Sequence, residues 1–596
     1  MSMPTPTINE GLSFRLEGFS TLSEGLDYAA RGETGMNFYS PRGELQTVVP
    51  YRQLRAEAID TASRLPSTRL RRGDRVGIIA ETTPDFLRVF FACQYAGMVP
   101  VPLPLAVNFG GRAAYAERLR GMLQAAGARA AIGPSDLIDV LQEAARPTAV
   151  RYVGTASDLA GLDRVKAALE PLAAHEACYI QYSSGSTSFP RGVLVTQQAI
   201  TANARSIAVD GVCLRQGDRC VSWLPLYHDM GLVGCCLTPV LGQVSVDYLA
   251  TSSFARRPLV WLELISRNRG TIAFSPTFGF ELCARRVANR AAPDLDLSSW
   301  RVAGIGGEMI RPDALDTFAS TFAASGFDAG AFLPSYGMAE ATLAVTFPKV
   351  GTGVAVDRIL RGAPLEQQRI AVPAHSEVDD SEARSFARCG KPMPGYEIQI
   401  RDKRNRPMHE RQVGRICIKG PSLMGGYFRN PEATNAVITR DGWLDSGDMG
   451  YMVDGELVVT GRTKDLIIIG GRNIWPQDLE WAIEQLPEVR AGDVAAFAAS
   501  DSLDRERVVV VVECRVQGDE AIAGLRDKVQ ATVSRVAGVE SDVVLAPPRS
   551  LTFTTSGKLS RAAARQNFLD GAIRDVQAVM APTHEAAVDL RLAASG

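Results

Sequence analysis

The chain has 596 residues, more than one hydrophobic core supports, which predicts two or more domains. Hydrophobic residues make up 46% and charged residues 22%, the balance of a soluble globular enzyme. Lys plus Arg (64) nearly cancels Asp plus Glu (66), a formal charge of −2 that excludes the basic footprint of a dedicated nucleic-acid binder. No run approaches the roughly 18 apolar residues of a membrane span. The start, MSMPTPTINEGLSFRL, has no basic stretch leading into an apolar one, so no signal peptide and a cytoplasmic location are expected. Ten cysteines without a CxxC pair read as reduced thiols. Five scattered histidines show no zinc-ligand spacing.

The first two thirds alternate helical periodicity with short apolar runs. Tyr51 to Leu65 places Leu54, Ala58, Ala62 and Leu65 on one helical face. Asp74 to Ala80 reads as a buried strand, Thr83 to Tyr95 as a helix with Phe86, Val89, Phe90 and Cys93 inward, and Ala128 to Ile132 as the next strand. This rhythm predicts α/β architecture, with parallel sheets flanked by helices. Further strands are expected at Tyr179–Tyr182, Cys220–Trp223, Arg301–Ile305 and Ala331–Leu333. Each precedes a functional-looking loop: SSGSTSFPR, LPLYHDMG, GGE and PSYGMAEA. Ligands bind beyond the carboxyl ends of strands in open α/β sheets, so four such loops predict one composite site. Residues 346–390, broken by Gly, Pro and charge, read as an irregular insertion. YEIQIRD and GRICIKG alternate as antiparallel strands, and VVVVVECRV (508–516) marks a small α+β part. The Ala-rich residues 570–596 are expected to form a helix with a loose end.

The loop chemistry leaves alternatives open. Ser183, Ser184, Gly185, Ser186 and Thr187 with Arg191 form no GxxxxGK[ST] phosphate loop, yet a Gly/Ser/Thr turn can present backbone N–H groups to an anion. A solvated linker would look the same. Glu340 suits a hard cation shared with phosphates, or an acid favoured at a helix start. Tyr336 offers a flat ring on which a base could stack. Asp448 could accept both hydroxyls of a ribose, or be a turn aspartate. Arg462 suits ribose or phosphate, or a surface ion pair. Lys558, in TTSGKLSR, can deliver a point charge, or be a solvated lysine.

The order of motifs resolves these choices. YSSGSTSFPRGV, WLPLYHDMGL, GGE, YGMAEATL, WLDSGDMGY, GRTKDLIIIGGRNIWPQDLE and TTSGKLSR together resemble the adenylate-forming superfamily over roughly residues 20 to 570. Within it, LDYAARGETGMNFYSPRGEL, WLPLYHDMGL, SPTFGFELCARR and the insertion after YGMAEATL resemble the fatty acyl-AMP ligases.

The resemblance implies a large N-terminal domain (1–463) with a distorted β-barrel-like part, and a small mobile C-terminal domain (464–596). It implies ATP, Mg²⁺, a long- or medium-chain fatty acid, and transfer of the acyl group to the phosphopantetheine thiol of an acyl carrier protein. No nucleic acid partner is expected, and a monomer or weak dimer is. Ser183 to Thr187 and Arg191 fall on the phosphate loop. Gly306, Gly307 and Glu308 fall on the segment beside adenine, with Ser335, Tyr336, Gly337, Met338 and Ala339 on the nucleotide motif. Tyr336 is there the stacking aromatic and Glu340 the Mg²⁺ carboxylate. Asp448 and Arg462 match ribose contacts, Lys464 the interdomain hinge and Lys558 the catalytic lysine.

Phe278, Gly279 and Phe280 are expected to line the acyl pocket. His228 either gates the carboxylate or is structural. Ser188 and Arg191 replace the usual Gly and Lys. Ala339 replaces a Thr of the wider superfamily, as in the acyl-AMP ligases, and Asn473 has no evident role. The rivals are an acyl-CoA synthetase, an amino-acid adenylation domain, and a catalytically silent acyl-adenylate or nucleotide sensor.

Overall fold

The computed structural model describes residues 12–105, 111–166, 168–183, 190–288, 294–379, 382–469, 472–500, 506–553 and 559–577. The chain divides into two compact units at Arg358/Ile359, Arg384/Ser385 and Thr460/Gly461.

The first unit is α/β. Its main sheet has seven strands in the order Phe332–Pro334, Val302–Ile305, Ile272–Ser275, Arg219–Ser222, Ser245–Leu249, Gly35–Tyr39 and Leu45–Pro50. Every pairing is parallel except the last. A second, fully parallel sheet orders Val99–Leu103, Arg75–Ile79, Ala130–Ile132 and Tyr152–Gly154. Strands covered on both faces read as continuous apolar runs, which is why RVGII and AAI were legible.

The expected helices form at Tyr51–Arg64 and Pro84–Tyr95. Proline opens the second, where a missing N–H costs nothing, and Asp85 in its first turn meets the positive end of the helix dipole. Trp261, Phe280, Trp300, Phe318 and Phe332 form an aromatic cluster in the core.

Glu397–Arg401, Gly414–Lys419, Leu444–Val453 and Glu456–Arg462 make a four-stranded sheet whose first three strands pair antiparallel. Tyr336–Gly337, Ala344–Phe347 and Lys391–Pro392 make a small three-stranded one. The barrel-like part expected from the resemblance is therefore a set of separate sheets, with no closed barrel among the described residues.

The second unit contains Ile359–Arg384 and the residues from Gly461 onward. Val494–Ser500, Glu506–Glu513 and Ser541–Ala546 form its sheet, packed with helices Pro476–Ile483 and Asp519–Ala537. The insertion expected at 346–390 within the large domain instead divides between the units, and it is not structureless. Strands Val356–Leu360 and Ala383–Ala387 pair, and a short helix spans Ala363–Glu366.

Residues 359–384 group with the C-terminal residues for electrostatic reasons. Arg472 meets Glu366 at 2.6 Å, and Arg384 meets Asp478 at 2.9 Å. Asn473 donates to the Glu366 carbonyl and accepts from Arg369 at 3.1 Å. Asn473, without a role in the sequence, is thus a buried bridge to the inserted segment. Burial pushes the Asp478 carboxyl upward while Arg384 and Arg361 oppose it. Residues 578–596 lie outside the described set, and no described helix is long and apolar enough to cross a membrane.

Candidate functional site

Three of the four expected loops leave one edge. Arg219–Ser222, Val302–Ile305 and Phe332–Pro334 run in the same direction within the seven-stranded sheet, so the segments after them emerge together. The fourth comes from elsewhere: Ala177–Ser183 pairs antiparallel with Arg191–Thr196 in a separate hairpin. Ser184, Gly185, Ser186 and Thr187 lie outside the described residues, as does Lys558. Ser183 and Arg191 are opposed at the loop end of the hairpin, where the two strands are joined.

Glu340 is the chemical centre of this region. It is 7% exposed, in the short turn Ala339–Ala341. Burial raises its carboxyl above the ordinary glutamate range. The Tyr427 hydroxyl opposes that shift, and the nearby Asp229 charge adds to it. Tyr427 donates to Glu340 Oε1 at 2.8 Å, and the Arg191 guanidinium lies 5.1 Å from the centre of the same ring. Burial and the Glu340 charge push the Tyr427 phenol upward, while Arg191 pulls it down. Tyr427, in GGYFRNP, was not anticipated. Its only local signal is an aromatic after two glycines.

The backbone around Glu340 is under strain. Thr342 has φ 72° and ψ −57°, a conformation that β-branched residues avoid. Buried polar bonds hold it there. Thr342 Oγ1 donates to the Ser422 carbonyl at 2.8 Å, and Ser422 Oγ donates to the Ala341 carbonyl at 2.7 Å. Asn203, fully buried, donates to the Ala344 carbonyl at 2.8 Å and accepts the Ala344 N–H at 3.1 Å. At Gly337 a Cβ would come within 1.8 Å of the Leu343 carbonyl oxygen, so the YGMAEA turn admits glycine alone. Met338 N–H donates to that same carbonyl at 2.7 Å. Asn203→Leu is expected to strand both Ala344 groups and cost about 2–4 kcal/mol, read as a lower midpoint in urea unfolding.

Other expected residues of the first unit lie in the neighbouring loops. Tyr336, 8% exposed, donates to Asp448 Oδ2 at 2.8 Å. Ser335 Oγ donates to the Ile305 carbonyl at 3.0 Å, tying PSYG to the strand before GGE. Gly306 faces Ser335, and Gly307 takes the left-handed φ of 82°. Ala339 is buried beside Glu340. Arg462 and Lys464 belong to the second unit instead, Arg462 at the end of its strand and Lys464 in the turn that follows.

Glu308, expected beside adenine, accepts the Phe278 N–H at 3.0 Å and so caps the helix Thr277–Val287. Phe278 is half-buried and meets Trp223 edge-on at 5.7 Å. A Cβ on Gly279 would strike Ser275 Oγ at 2.1 Å and the Trp223 ring at 3.0 Å, so glycine lets this helix approach the tryptophan.

Phe280, expected in the same pocket, is fully buried. Trp261, Trp300, Phe318 and Phe332 surround its ring, which places it in the core. The reason is helical geometry: two residues along a helix turn to the opposite face.

His228 precedes a π-helical stretch, Met230–Leu237, with Nδ1 2.8 Å from Asp229 Oδ1. Gln181, fully buried, donates to the Tyr227 carbonyl at 2.6 Å and ties the hairpin to the LPLYHDMG loop.

The site therefore joins a buried carboxylate, an arginine on the same tyrosine, and a tyrosine–aspartate pair. Residues 39–428 match the family described as "AMP-binding enzyme". A Caulobacter vibrioides protein provisionally named an acyl-CoA synthetase is 46% identical over 574 residues, covering 96% of this chain and 99% of its own. The medium-chain-fatty-acid–[acyl-carrier-protein] ligase JamA of Moorena producens is 31% identical over 579 residues, covering 93% and 96%. A solved structure from studies of fatty acyl-adenylate ligases from E. coli and L. pneumophila superposes with a TM-score of 0.89 at 44% identity, covering 94% of this chain and 100% of that one. The chain belongs to the AMP-binding enzyme family of the adenylate-forming superfamily, on the branch that resembles the fatty acyl-AMP ligases.

Proposed function

We propose that the protein joins a fatty acid to AMP and passes the acyl group to the phosphopantetheine thiol of an acyl carrier protein. The observation that carries this reading is the buried Glu340 carboxylate, held by Tyr427 beside the hydrogen-bonded Tyr336–Asp448 pair. In the first step a fatty carboxylate oxygen attacks the α-phosphorus of ATP and pyrophosphate leaves. In the second the thiol attacks the acyl carbonyl, AMP leaves, and the thiol proton passes to solvent.

Two anions must meet in the first step, so the site needs cations. Glu340 suits Mg²⁺: it is a buried hard oxygen donor whose partner at Oε1, the Tyr427 hydroxyl, is neutral. Among the described residues no group of three acidic, histidine or cysteine side chains could hold a metal. Bound there, Mg²⁺ would neutralise phosphate charge. Arg191 and Lys558 would supply the remaining positive charge, Asp448 would accept ribose hydroxyls, and Tyr336 would stack against adenine. Phe278 and Trp223 would flank the acyl chain, each buried CH₂ contributing about 0.8 kcal/mol.

ATP–pyrophosphate exchange with fatty acids of graded length tests the reading. Lys558→Ala is expected to lower exchange about 10²–10³-fold while ATP binding stays within about twofold. Exchange absent from the parent with every acid would instead favour a silent sensor. Coenzyme A as acceptor is the second reading, supported by the name of the Caulobacter relative. Offering holo-carrier protein and coenzyme A in parallel separates the two, and thioester on coenzyme A alone would overturn the carrier-protein reading.

A further inference from the structure

Tyr427 sits where three parts of the site converge. Its segment pairs with the strand that begins at Arg191: Leu194 N–H donates to the Gly426 carbonyl at 3.1 Å, Gly425 N–H to the Leu194 carbonyl at 3.2 Å, and Phe428 N–H to the Gly192 carbonyl at 2.7 Å. The same segment grips the Glu340 turn, with Met424 N–H donating to the Glu340 carbonyl at 2.8 Å. The Tyr427 hydroxyl then takes Glu340 Oε1 at 2.8 Å, and its ring underlies Arg191 at 5.1 Å. Tyr427 itself is 8% exposed, so these contacts lie largely out of water.

We infer that Tyr427 is a positioning residue that sets the Glu340 carboxylate and the Arg191 guanidinium in one fixed relation, its hydroxyl aiming the metal ligand and its ring seating the phosphate cation. This inference rests on the reading of Glu340 and Arg191 given under Proposed function. Its physical basis is geometric. A carboxylate has about four lone-pair sites, so the Tyr427 bond to Oε1 stops the group rotating in its cavity while leaving acceptor capacity for an incoming cation. An arginine spread over an aromatic face keeps its N–H edge available for phosphate oxygens.

The two halves of the tyrosine separate experimentally. Tyr427→Phe removes the hydroxyl and keeps the ring, so its fold is retained, and Tyr427→Leu removes both. Mn²⁺ binding in the presence of a non-reacting α,β-methylene ATP analogue is read from the free-ion EPR signal. Nucleotide affinity without divalent ion is read from a fluorescent ATP analogue in EDTA.

Tyr427→Phe is expected to raise the half-saturating Mn²⁺ concentration roughly five- to tenfold, as for one charge-assisted hydrogen bond. Its nucleotide affinity in EDTA is expected to match the parent. Tyr427→Leu is expected to weaken both. A purely structural tyrosine would not split the two readouts. Glu340→Gln runs alongside. If it weakens Mn²⁺ binding while Tyr427→Phe leaves it unchanged, the inference is overturned and the reading of Glu340 stands. If neither variant changes Mn²⁺ binding, the metal assignment itself falls.

Discussion

Glu340→Gln is expected to lower ATP–pyrophosphate exchange by about 10²–10³-fold and, at the same time, to raise the melting temperature of the ligand-free protein. The first effect follows from deleting a charge that the proposed chemistry needs in a water-poor site. The second follows from what that charge does to the fold. Glu340 is 7% exposed, and burial raises its carboxyl despite the Tyr427 hydrogen bond. A carboxyl raised on folding opposes folding wherever it is ionised in both states, and this cost fades as pH falls through the folded value towards the ordinary one near about 4.3. Glutamine keeps the shape and the acceptor for Tyr427 without the charge. The variant is expected to melt roughly 1–3 °C higher at neutral pH, with the gap closing on acidification. Differential scanning calorimetry between pH 5 and 8 reads this directly. A variant that melts lower than the parent at every pH would show that the carboxylate is paired better than its surroundings imply.

Arg561→Met is expected to destabilise the second unit by about 3–5 kcal/mol. Arg561 meets Asp465 at 2.8 Å and Glu480 at 2.5 Å, and the Glu480 side chain is 4% exposed. Glu480 also accepts the Ala496 N–H at 3.0 Å, so the helix Pro476–Ile483, the strand Val494–Ser500 and the helix Arg561–Leu569 meet at one guanidinium. Burial pulls the arginine down, but Glu480 and Asp465 together outweigh it and hold the group above its ordinary value. Removing the cation strands both acids out of water. Hydrogen exchange is expected to accelerate across 461–577 while the first unit's strands keep their protection. Adding Glu480→Gln to Arg561→Met is expected to recover part of the loss. Arg561 follows Lys558 by three residues, so exchange activity is expected to fall with the anchor. Parent-like protection in Arg561→Met would show that hydrophobic packing alone holds the unit.

Much of this was readable in one dimension. Parallel strands such as Arg75–Ile79 and Ala130–Ile132 announce themselves because burial on both faces demands unbroken apolar residues. Helices such as Pro84–Tyr95 show through their period and their proline start. Irregular composition misled the reading of 346–390, because a short helix and a strand pair there are held by Arg–carboxylate bonds to distant residues. Phe280 was expected to line the acyl pocket with Phe278 and Gly279 on the strength of the SPTFGFELCARR segment, yet its ring packs against Trp300 and Phe318 in the aromatic core.

By itself, the order of seven motifs established the family, and local periodicity established most strands and helices, because both depend on residues close together along the chain. The tertiary structure alone brought Tyr427 to Glu340 across 87 positions and Asn203 to Ala344 across 141. It alone grouped Ile359–Arg384 with the C-terminal residues. The physical reason is that a hydrogen bond or ion pair reaches only about 3 Å. Which distant side chains come within that reach is set by strand register and sheet order, and neither leaves a local pattern.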